Sequence, residues 1–215
     1  RHGVYIVGYT DGTFGPSRSM TRAEAAAIFA RLLAEKNGDT ISTAANTKFA
    51  DIPAHAWYSG YVKYLSNNGI TYGKNKTIFA PNDAITRAEF TTMAVRFFDV
   101  YGSGDAEIME QFSSFNDVSS GYWAAEYIKY AALHGWINGY GDGSFHADRE
   151  INRAEVVTIV NRLLGREADE DYIADNLRKL NTFPDVTKRH WAYYAVMEAA
   201  NAHTAVLGES ESWSK

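Results

Sequence analysis

The 215-residue sequence contains no cysteine, which excludes a disulfide framework, thiolate metal sites and a cysteine nucleophile. It lacks any apolar run near the roughly 20 residues that a membrane helix requires, so no membrane partner is expected. Lysine and arginine form no cluster, and 26 acidic residues outnumber 21 basic ones, which argues against a nucleic-acid partner. The six histidines follow no metal-ligand spacing, so neither a metal site nor a cofactor is predicted.

Hydrophobic residues are abundant by contrast, at 46%, with 14% aromatic, which is enough to build a core and excludes disorder. The sequence begins at Arg1 without an initiator methionine or a signal peptide. A fragment of a longer protein is therefore expected.

Three motifs recur along the chain with a period of 65 to 68 residues. A Phe-x-Asp motif is followed by a tryptophan eight residues after its Phe, and a Thr-Arg-Ala-Glu-like motif begins 37 residues after that Phe in the two complete copies. A glycine lies 13 residues before each Thr-Arg-Ala-Glu-like motif, and a Phe follows the glycine after six residues. Such a long, regular period predicts three equivalent lobes. The recurring residues are Phe49, Phe115 and Phe183; Trp57, Trp123 and Trp191; Gly8, Gly73 and Gly139; and Arg22, Arg87 and Arg153.

Apolar residues at three- and four-residue steps predict two helices in each repeat, hence a mainly α fold. The first helix should include the repeated tryptophan, the second should begin at the Thr-Arg-Ala-Glu-like motif, and the three second helices should pack on one another. An extra helical turn is expected around residues 172–177, and the tail after His203 should be loose despite Trp213. The predicted division is residues 1–35, 49–100, 115–165 and 183–203, with a tail of 204–215.

The first repeat lacks its Phe-x-Asp half, and the last repeat lacks its second half. Because the two halves meet without an appreciable overlap or gap, residues 183–203 are expected to dock beside residues 2–33 and complete the first lobe, as in a circular permutation. Truncation of a longer repeat array is the alternative.

The Thr-x-x-Glu pattern predicts a helix-capping box, but capping does not explain the arginine at the first helical position. The helix dipole disfavours a cation there. Arg22, Arg87 and Arg153 are therefore candidate contacts for a carboxylate ligand. The alternative is that each one snorkels or pairs with an acid of a neighbouring lobe.

The segments that begin at Gly8 and Gly139 share the pattern Gly-Tyr-x-Asp-Gly-x-Phe, whereas the middle copy at Gly73 lacks the Tyr, the Asp and the second Gly. Aspartate and tyrosine side chains could bind and stack on a sugar, but a tight turn with a core Phe explains the pattern equally well. The middle loop should bind differently or not at all. The repeated tryptophans could pack in the core or form the wall of a sugar groove. The loop residues concerned are Tyr9, Tyr140, Asp11 and Asp142.

Together these motifs resemble the S-layer homology domain over nearly the whole chain. The resemblance implies three repeats in a pseudo-threefold, three-pronged spindle with a central helix bundle. It also implies extracellular anchoring to the bacterial cell wall and S-layer, through a peptidoglycan-linked secondary cell-wall polysaccharide that is commonly pyruvylated.

By position, the resemblance assigns the anion contacts to the three arginines and gives the three glycines backbone at the groove. The aspartates lie nearby, and the tryptophans are candidate groove walls. A protein-interaction or lattice-forming module is the main alternative. A polysaccharide-degrading enzyme is disfavoured because the prominent acids are repeated threefold, whereas active sites are rarely triplicated.

Overall fold

A computed structural model of the protein describes residues 1–102, 112–207 and 211–214. Helices dominate these residues, which confirms the mainly α prediction. A short helix, Glu170–Asn176, is followed by a 3-10 helix, Leu177–Lys179, so the predicted extra helical turn is confirmed. The elements are α1 (Arg22–Asn37), α2 (Ser59–Asn67), α3 (Arg87–Tyr101), α4 (Ala125–Leu133), α5 (Arg153–Leu164), α6 (Glu170–Asn176), α7 (Tyr193–Ala200), β1 (Thr204–Leu207) and β2 (Glu211–Ser214).

The helices α1, α3 and α5 begin at the predicted capping boxes. In each, the N-cap side chain accepts a hydrogen bond from the backbone N–H of the third helical residue, and the Glu at that position accepts from the N-cap N–H. Each of these helices ends at a glycine in the left-handed conformation, which other residues rarely adopt. The N-caps are Thr21, Thr86 and Asn152, and the terminal glycines are Gly38, Gly102 and Gly165.

The shorter helices α2, α4 and α7 begin two residues after the repeated tryptophans. The prediction that these tryptophans lie within the first helix of each repeat is therefore wrong. A turn precedes each helix, as in the hydrogen bond from the Ser59 N–H to the Ala56 carbonyl. The exposed fractions of Trp57, Trp123 and Trp191 are 55%, 57% and 65%, so the core interpretation is wrong too.

The described chain divides into two compact units, one formed by residues 19–151 and the other by residues 1–18 with 152–215. In the first unit α1 packs on α2, α3 packs on α4, and α1 packs on α3. Two of the three second helices thus contact each other as expected. The ring of Phe29 lies 5.3 Å from that of Phe90 and 4.9 Å from that of Phe97, and all three side chains are fully buried. Burial of each ring contributes about 1.5–3 kcal/mol.

A closed ring of three backbone hydrogen bonds lies at the starts of α1 and α3. The Met20 N–H donates to the Ile151 carbonyl, the Ile151 N–H to the Ile85 carbonyl, and the Ile85 N–H to the Met20 carbonyl, at 3.1, 3.0 and 2.9 Å. All three residues are buried and precede the N-cap residue of their repeat. The ring supports pseudo-threefold symmetry at this point, and the three-pronged spindle stays a prediction.

In the second unit, α5 packs on α7 and both ends of the chain come together. The Asp185 carboxylate accepts from the N–H groups of Phe14 and Gly15 at 2.9 and 2.7 Å, and the Phe14 and Phe183 rings lie 5.3 Å apart. The complete repeats make the same contacts internally, as in Asp117 with the Phe145 N–H at 2.7 Å. The expected docking of residues 183–203 is confirmed for the first 15 residues, and their assignment to one permuted repeat stays a prediction.

The end of the chain is more ordered than predicted. Strands β1 and β2 form an antiparallel pair, and Trp213 is only 6% exposed. Its indole stacks on the His203 ring at 3.8 Å and donates to the Glu167 carbonyl at 3.2 Å. The prediction of a loose tail is therefore wrong for residues 204–207 and 211–214, because Trp213 has its own packing site.

Candidate functional site

Each repeated arginine is buried and holds the glycine loop of a different repeat. The Nε–H donates to the carbonyl oxygen of the Phe that ends that loop, at 2.7 Å for Arg22 and 2.8 Å for the other two. The guanidinium also lies over the ring of the same Phe, at 4.6–5.0 Å from its centroid. The arginines thus have a structural role that capping alone did not reveal. The pairs are Arg22 with Phe79, Arg87 with Phe145, and Arg153 with Phe14.

Other guanidinium nitrogens of these arginines make further contacts. Arg87 and Arg153 donate to the carbonyls of Asn138 and Val7, at 3.3 and 2.6 Å. Arg22 forms an ion pair with Glu89, 3.1 Å from Nη1 to Oε1. Pairing with an acid of another repeat, the alternative expected for these arginines, thus occurs at Arg22. Their role as anion contacts stays a prediction.

The three repeated glycines lie against the Phe of a Phe-x-Asp motif. A Cβ atom on Gly8, Gly73 or Gly139 would stand only 2.4–2.5 Å from a ring carbon of that Phe, which is closer than real Cβ contacts come. The glycine is thus required by packing, and its role as ligand-binding backbone stays a prediction. The opposing rings are those of Phe183, Phe49 and Phe115.

Asp11 and Asp142 cap their own loops. The Asp11 carboxylate accepts from the N–H and hydroxyl of Thr13 at 2.9 and 2.7 Å, and Asp142 does the same with Ser144 at 2.9 and 2.6 Å. These hydrogen bonds, the hydroxyl contact first, lower the pKa of both carboxyls. The tight-turn interpretation therefore explains both residues. In the middle loop Asn75 makes the equivalent contact with the Thr77 N–H at 2.9 Å.

The residue after the repeated glycine distinguishes the middle loop from the other two. Tyr9 lies 4.8 Å from the Arg153 guanidinium, and Tyr140 lies 5.2 Å from that of Arg87. Lys74 occupies this position in the middle loop and pairs with Asp83 at 2.6 Å. The loops at Gly8 and Gly139 therefore cover their arginine with a tyrosine ring, whereas the middle loop contributes a cation.

The aspartates of the Phe-x-Asp motifs were not predicted as site residues, although the motif itself was the signal. Asp117 accepts from the N–H groups of Phe145 and His146, at 2.7 and 2.8 Å. Burial acts to raise the pKa of Asp117 and of Asp185, but the two backbone hydrogen bonds that each carboxylate accepts outweigh it and hold the pKa below its usual value.

Acid should therefore weaken these loop contacts. Because the folded pKa of Asp185 is lowered, its stabilisation is present above the ordinary carboxyl pKa of about 4 and is lost as the pH falls through the folded value. We expect Asp185→Ala to reduce the free energy of unfolding by about 1–2 kcal/mol at pH 7 and by less at pH 3. Urea unfolding at the two pH values measures this difference. An equal loss at both pH values, or a comparable loss in Asp175→Ala on exposed α6, would contradict the assignment.

An open groove of about 490 Å³ lies at the middle loop in the unit of residues 19–151. It brings three of the predicted site residues together, namely Arg22, Gly73 and Trp123. Trp123 and Tyr72 present exposed rings, at 57% and 54%. The remaining lining residues are Ile70, Thr71, Lys74, Glu89, Thr92, Met93 and Arg96.

The groove carries an excess of positive charge. Its lining contains the three cations Arg22, Lys74 and Arg96 but one acid, Glu89, which pairs with Arg22. Arg96 lies over the Tyr72 ring at 4.7 Å, so a guanidinium and an aromatic face are adjacent. Chemically, this surface can hold an anion and stack a flat apolar face beside it.

Comparison with known proteins identifies the family. The family model for the S-layer homology domain matches residues 1–26, 48–91 and 114–157. The chain belongs to the S-layer homology domain family. The three matched segments are the three repeats that the motif spacing predicts, and family membership places the domain outside the cell, at the cell wall. None of the helices in the described ranges is long and apolar enough to cross a membrane.

This S-layer homology domain resembles parts of several much longer surface proteins. It is 34% identical over 218 residues to cell surface glycoprotein 1 of Acetivibrio thermocellus, covering 98% of this chain and 9% of that protein. It is 31% identical over 209 residues to a cellulosome-anchoring protein of the same organism, covering 97% and 44%. A surface-layer 125 kDa protein of Lysinibacillus sphaericus is 32% identical over 163 residues, 74% of this chain and 13% of that protein. The chain thus spans less than half of each relative.

Proposed function

We propose that this S-layer homology domain is a non-catalytic module that anchors a bacterial surface protein by binding an anionic secondary cell-wall polysaccharide. The groove at the middle loop carries this proposal. Its exposed aromatic rings and its excess of positive charge suit a sugar that bears a carboxylate. A pyruvylated glycan combines these two features in one ligand.

Two kinds of side chain in the groove can bind different parts of such a ligand, namely aromatic rings and cations. The faces of Trp123 and Tyr72 can stack on the apolar C–H face of a sugar ring, which costs little because both rings are already exposed. Arg22 is 4% exposed and fixed by Phe79 and Glu89, so it offers a preorganised charge at the groove. Lys74, which pairs with Asp83, and Arg96, which stacks on Tyr72, add two more cations at its lining.

The relatives support the anchoring part of the proposal. One of them is named for anchoring the cellulosome and another is a surface-layer protein, and both share this domain with the chain. The middle loop was expected to bind differently or not at all because it lacks the Gly-Tyr-x-Asp-Gly pattern. Its groove nevertheless offers Lys74 where the other loops place a tyrosine ring over their arginine, so we propose that it binds.

Exposed groove residues provide the sharpest test, because their replacement does not disturb the buried arginine contacts. We expect Trp123→Ala and Lys74→Ala each to weaken binding to purified pyruvylated wall polymer by about 5- to 10-fold, through lost stacking and lost charge. Isothermal titration of the full chain measures the affinities, and the circular dichroism spectrum confirms that each variant is folded.

Lys76→Ala is the matched control, since Lys76 carries the same charge two residues along the same exposed loop but does not line the groove. It should bind within about twofold of the unaltered chain. Equal effects of Lys74→Ala and Lys76→Ala would indicate a diffuse charge effect and contradict a site in this groove. If the chain does not bind the polymer and self-associates instead, the lattice-forming alternative replaces this proposal.

A further inference from the structure

Four side chains that sequence spacing did not connect converge where the two chain ends meet. His2, Glu198, His203 and Glu211 each offer one potential ligating atom, and these atoms all lie within 4.8 Å of one another. The side chains of Glu198, His203 and Glu211 are 0%, 3% and 2% exposed, and that of His2 is 20% exposed. The cluster has no sequence signature, because 201 residues separate the two histidines.

The separations between these atoms match those of ligands around a small ion. His2 Nδ1 lies 3.2 Å from Glu198 Oε1 and from Glu211 Oε1. It also lies 3.2 Å from His203 Nε2, which is itself 3.2 Å from Glu211 Oε1. Ligands that surround a tetrahedral Zn²⁺ at about 2.0 Å stand roughly 3.3 Å apart.

Contacts outside the cluster fix the orientation of two of its members. His203 Nδ1 lies 2.9 Å from the Asn201 carbonyl oxygen, a contact in which Nδ1–H donates and the Nε2 lone pair faces the cluster. Glu211 Oε2 accepts from the Glu167 N–H at 3.0 Å, which leaves Oε1 for the cluster. Hydrogen bonds of this kind, from groups outside the ligand set, fix the tautomer and the orientation of metal-binding side chains.

One carboxylate oxygen of the cluster has no hydrogen-bond donor. Glu198 Oε2 is buried and forms no hydrogen bond, although His203 Nε2 stands 3.2 Å away. Arg166, which donates to the Gly3 carbonyl at 3.4 Å, contributes one nearby positive charge and can balance only one of the two carboxylates. A buried carboxylate oxygen without a hydrogen-bond donor is costly, and a bound cation removes that cost.

We propose that His2, Glu198, His203 and Glu211 form a binding site for one Zn²⁺ ion that fastens the beginning of the chain to its end. Two imidazole nitrogens and two carboxylate oxygens suit zinc, whereas calcium and magnesium prefer oxygen ligands alone. Among the residues that the structure describes, no other group of three or more His, Asp or Glu side chains is arranged to hold a metal ion.

Cobalt(II) substitution tests the site in the full chain. After treatment with a chelator, we expect the protein to bind one Co²⁺ with the intense visible absorption of a four-coordinate ion, and Zn²⁺ to displace it. Zn²⁺ at about 100 times its dissociation constant should raise the melting temperature by about 5 °C or more. Elemental analysis after dialysis measures the ratio of bound metal to protein. A ratio well below one ion per chain would overturn the proposal.

Two variants separate this site from adventitious binding to surface histidines. Glu198→Gln is nearly isosteric and should weaken Zn²⁺ affinity at least about 100-fold while the circular dichroism of the folded chain persists. His55→Ala removes an exposed histidine outside the cluster and should leave the affinity unchanged. Retained affinity in Glu198→Gln, or its loss in His55→Ala, would contradict the assignment.

Discussion

Removal of residues 183–215 is expected to abolish cooperative unfolding of the unit that the two chain ends form. Without this segment Tyr5 and Phe14, which are 2% and 0% exposed, lose the partners that cover them. The segment itself contributes five large buried side chains, namely Val186, Tyr193, Val196, Met197 and Trp213. At roughly 1.5–3 kcal/mol each, their loss amounts to about 7–15 kcal/mol, close to the whole stability of a typical domain.

Urea unfolding of the shortened chain in a buffer with chelator measures this loss without any contribution from bound metal. Deletion of residues 204–215 alone is the control, since it removes β1 and β2 but keeps α7 and the Asp185 contacts. This shorter deletion should lower the unfolding midpoint and leave a cooperative transition. If the chain without residues 183–215 unfolds at the midpoint of the full chain, the docking of the two ends does not stabilise the protein.

The second large effect is expected from Gly139→Ala. The new Cβ would lie 2.5 Å from a ring carbon of Phe115 and 2.6 Å from the Ser144 carbonyl oxygen, so the backbone or the Phe115 ring must move. Phe115 is 8% exposed and stacks on Phe145 at 5.2 Å, which leaves little room for that movement. Overpacking of this kind should reduce the free energy of unfolding by about 2–3 kcal/mol.

Gly141→Ala provides a matched control two residues away. A Cβ at Gly141 would meet no atom within 4 Å, and its backbone does not require the left-handed region that favours glycine. We therefore expect a change of less than about 0.5 kcal/mol in this variant. Equal melting temperatures of the two variants would contradict the close approach of Phe115 to the loop.

Local features of this fold could be predicted from the sequence, because short-range chemistry determines them. The capping boxes at Thr21, Thr86 and Asn152 depend on residues three apart, and the structure confirms all three. The repeat spacing likewise predicted that residues 183–203 dock beside residues 2–33, and the Phe183 and Phe14 rings pack together as the Phe49 and Phe79 rings do in a complete repeat.

Features that depend on distant residues could not be predicted in this way. The hydrogen bond from Arg22 to the Phe79 carbonyl joins two repeats, and no local pattern indicates which oxygen a buried guanidinium will reach. The exposure of the tryptophans was also open, because their spacing fits a core position as well as a groove wall. The order of the tail follows from Trp213 packing on His203, a contact that only the folded chain creates.

Binding to the wall polysaccharide is the central property proposed for this domain. Sedimentation of the full chain with purified cell-wall sacculi, before and after removal of the pyruvyl groups from their polymer, tests this claim most directly. We predict that the chain sediments with the untreated sacculi, that the depyruvylated sacculi retain at least about 10-fold less of it, and that Trp123→Ala reduces sedimentation with the untreated sacculi. Equal sedimentation with both preparations would contradict recognition of the carboxylate, and no sedimentation with either would contradict wall anchoring itself.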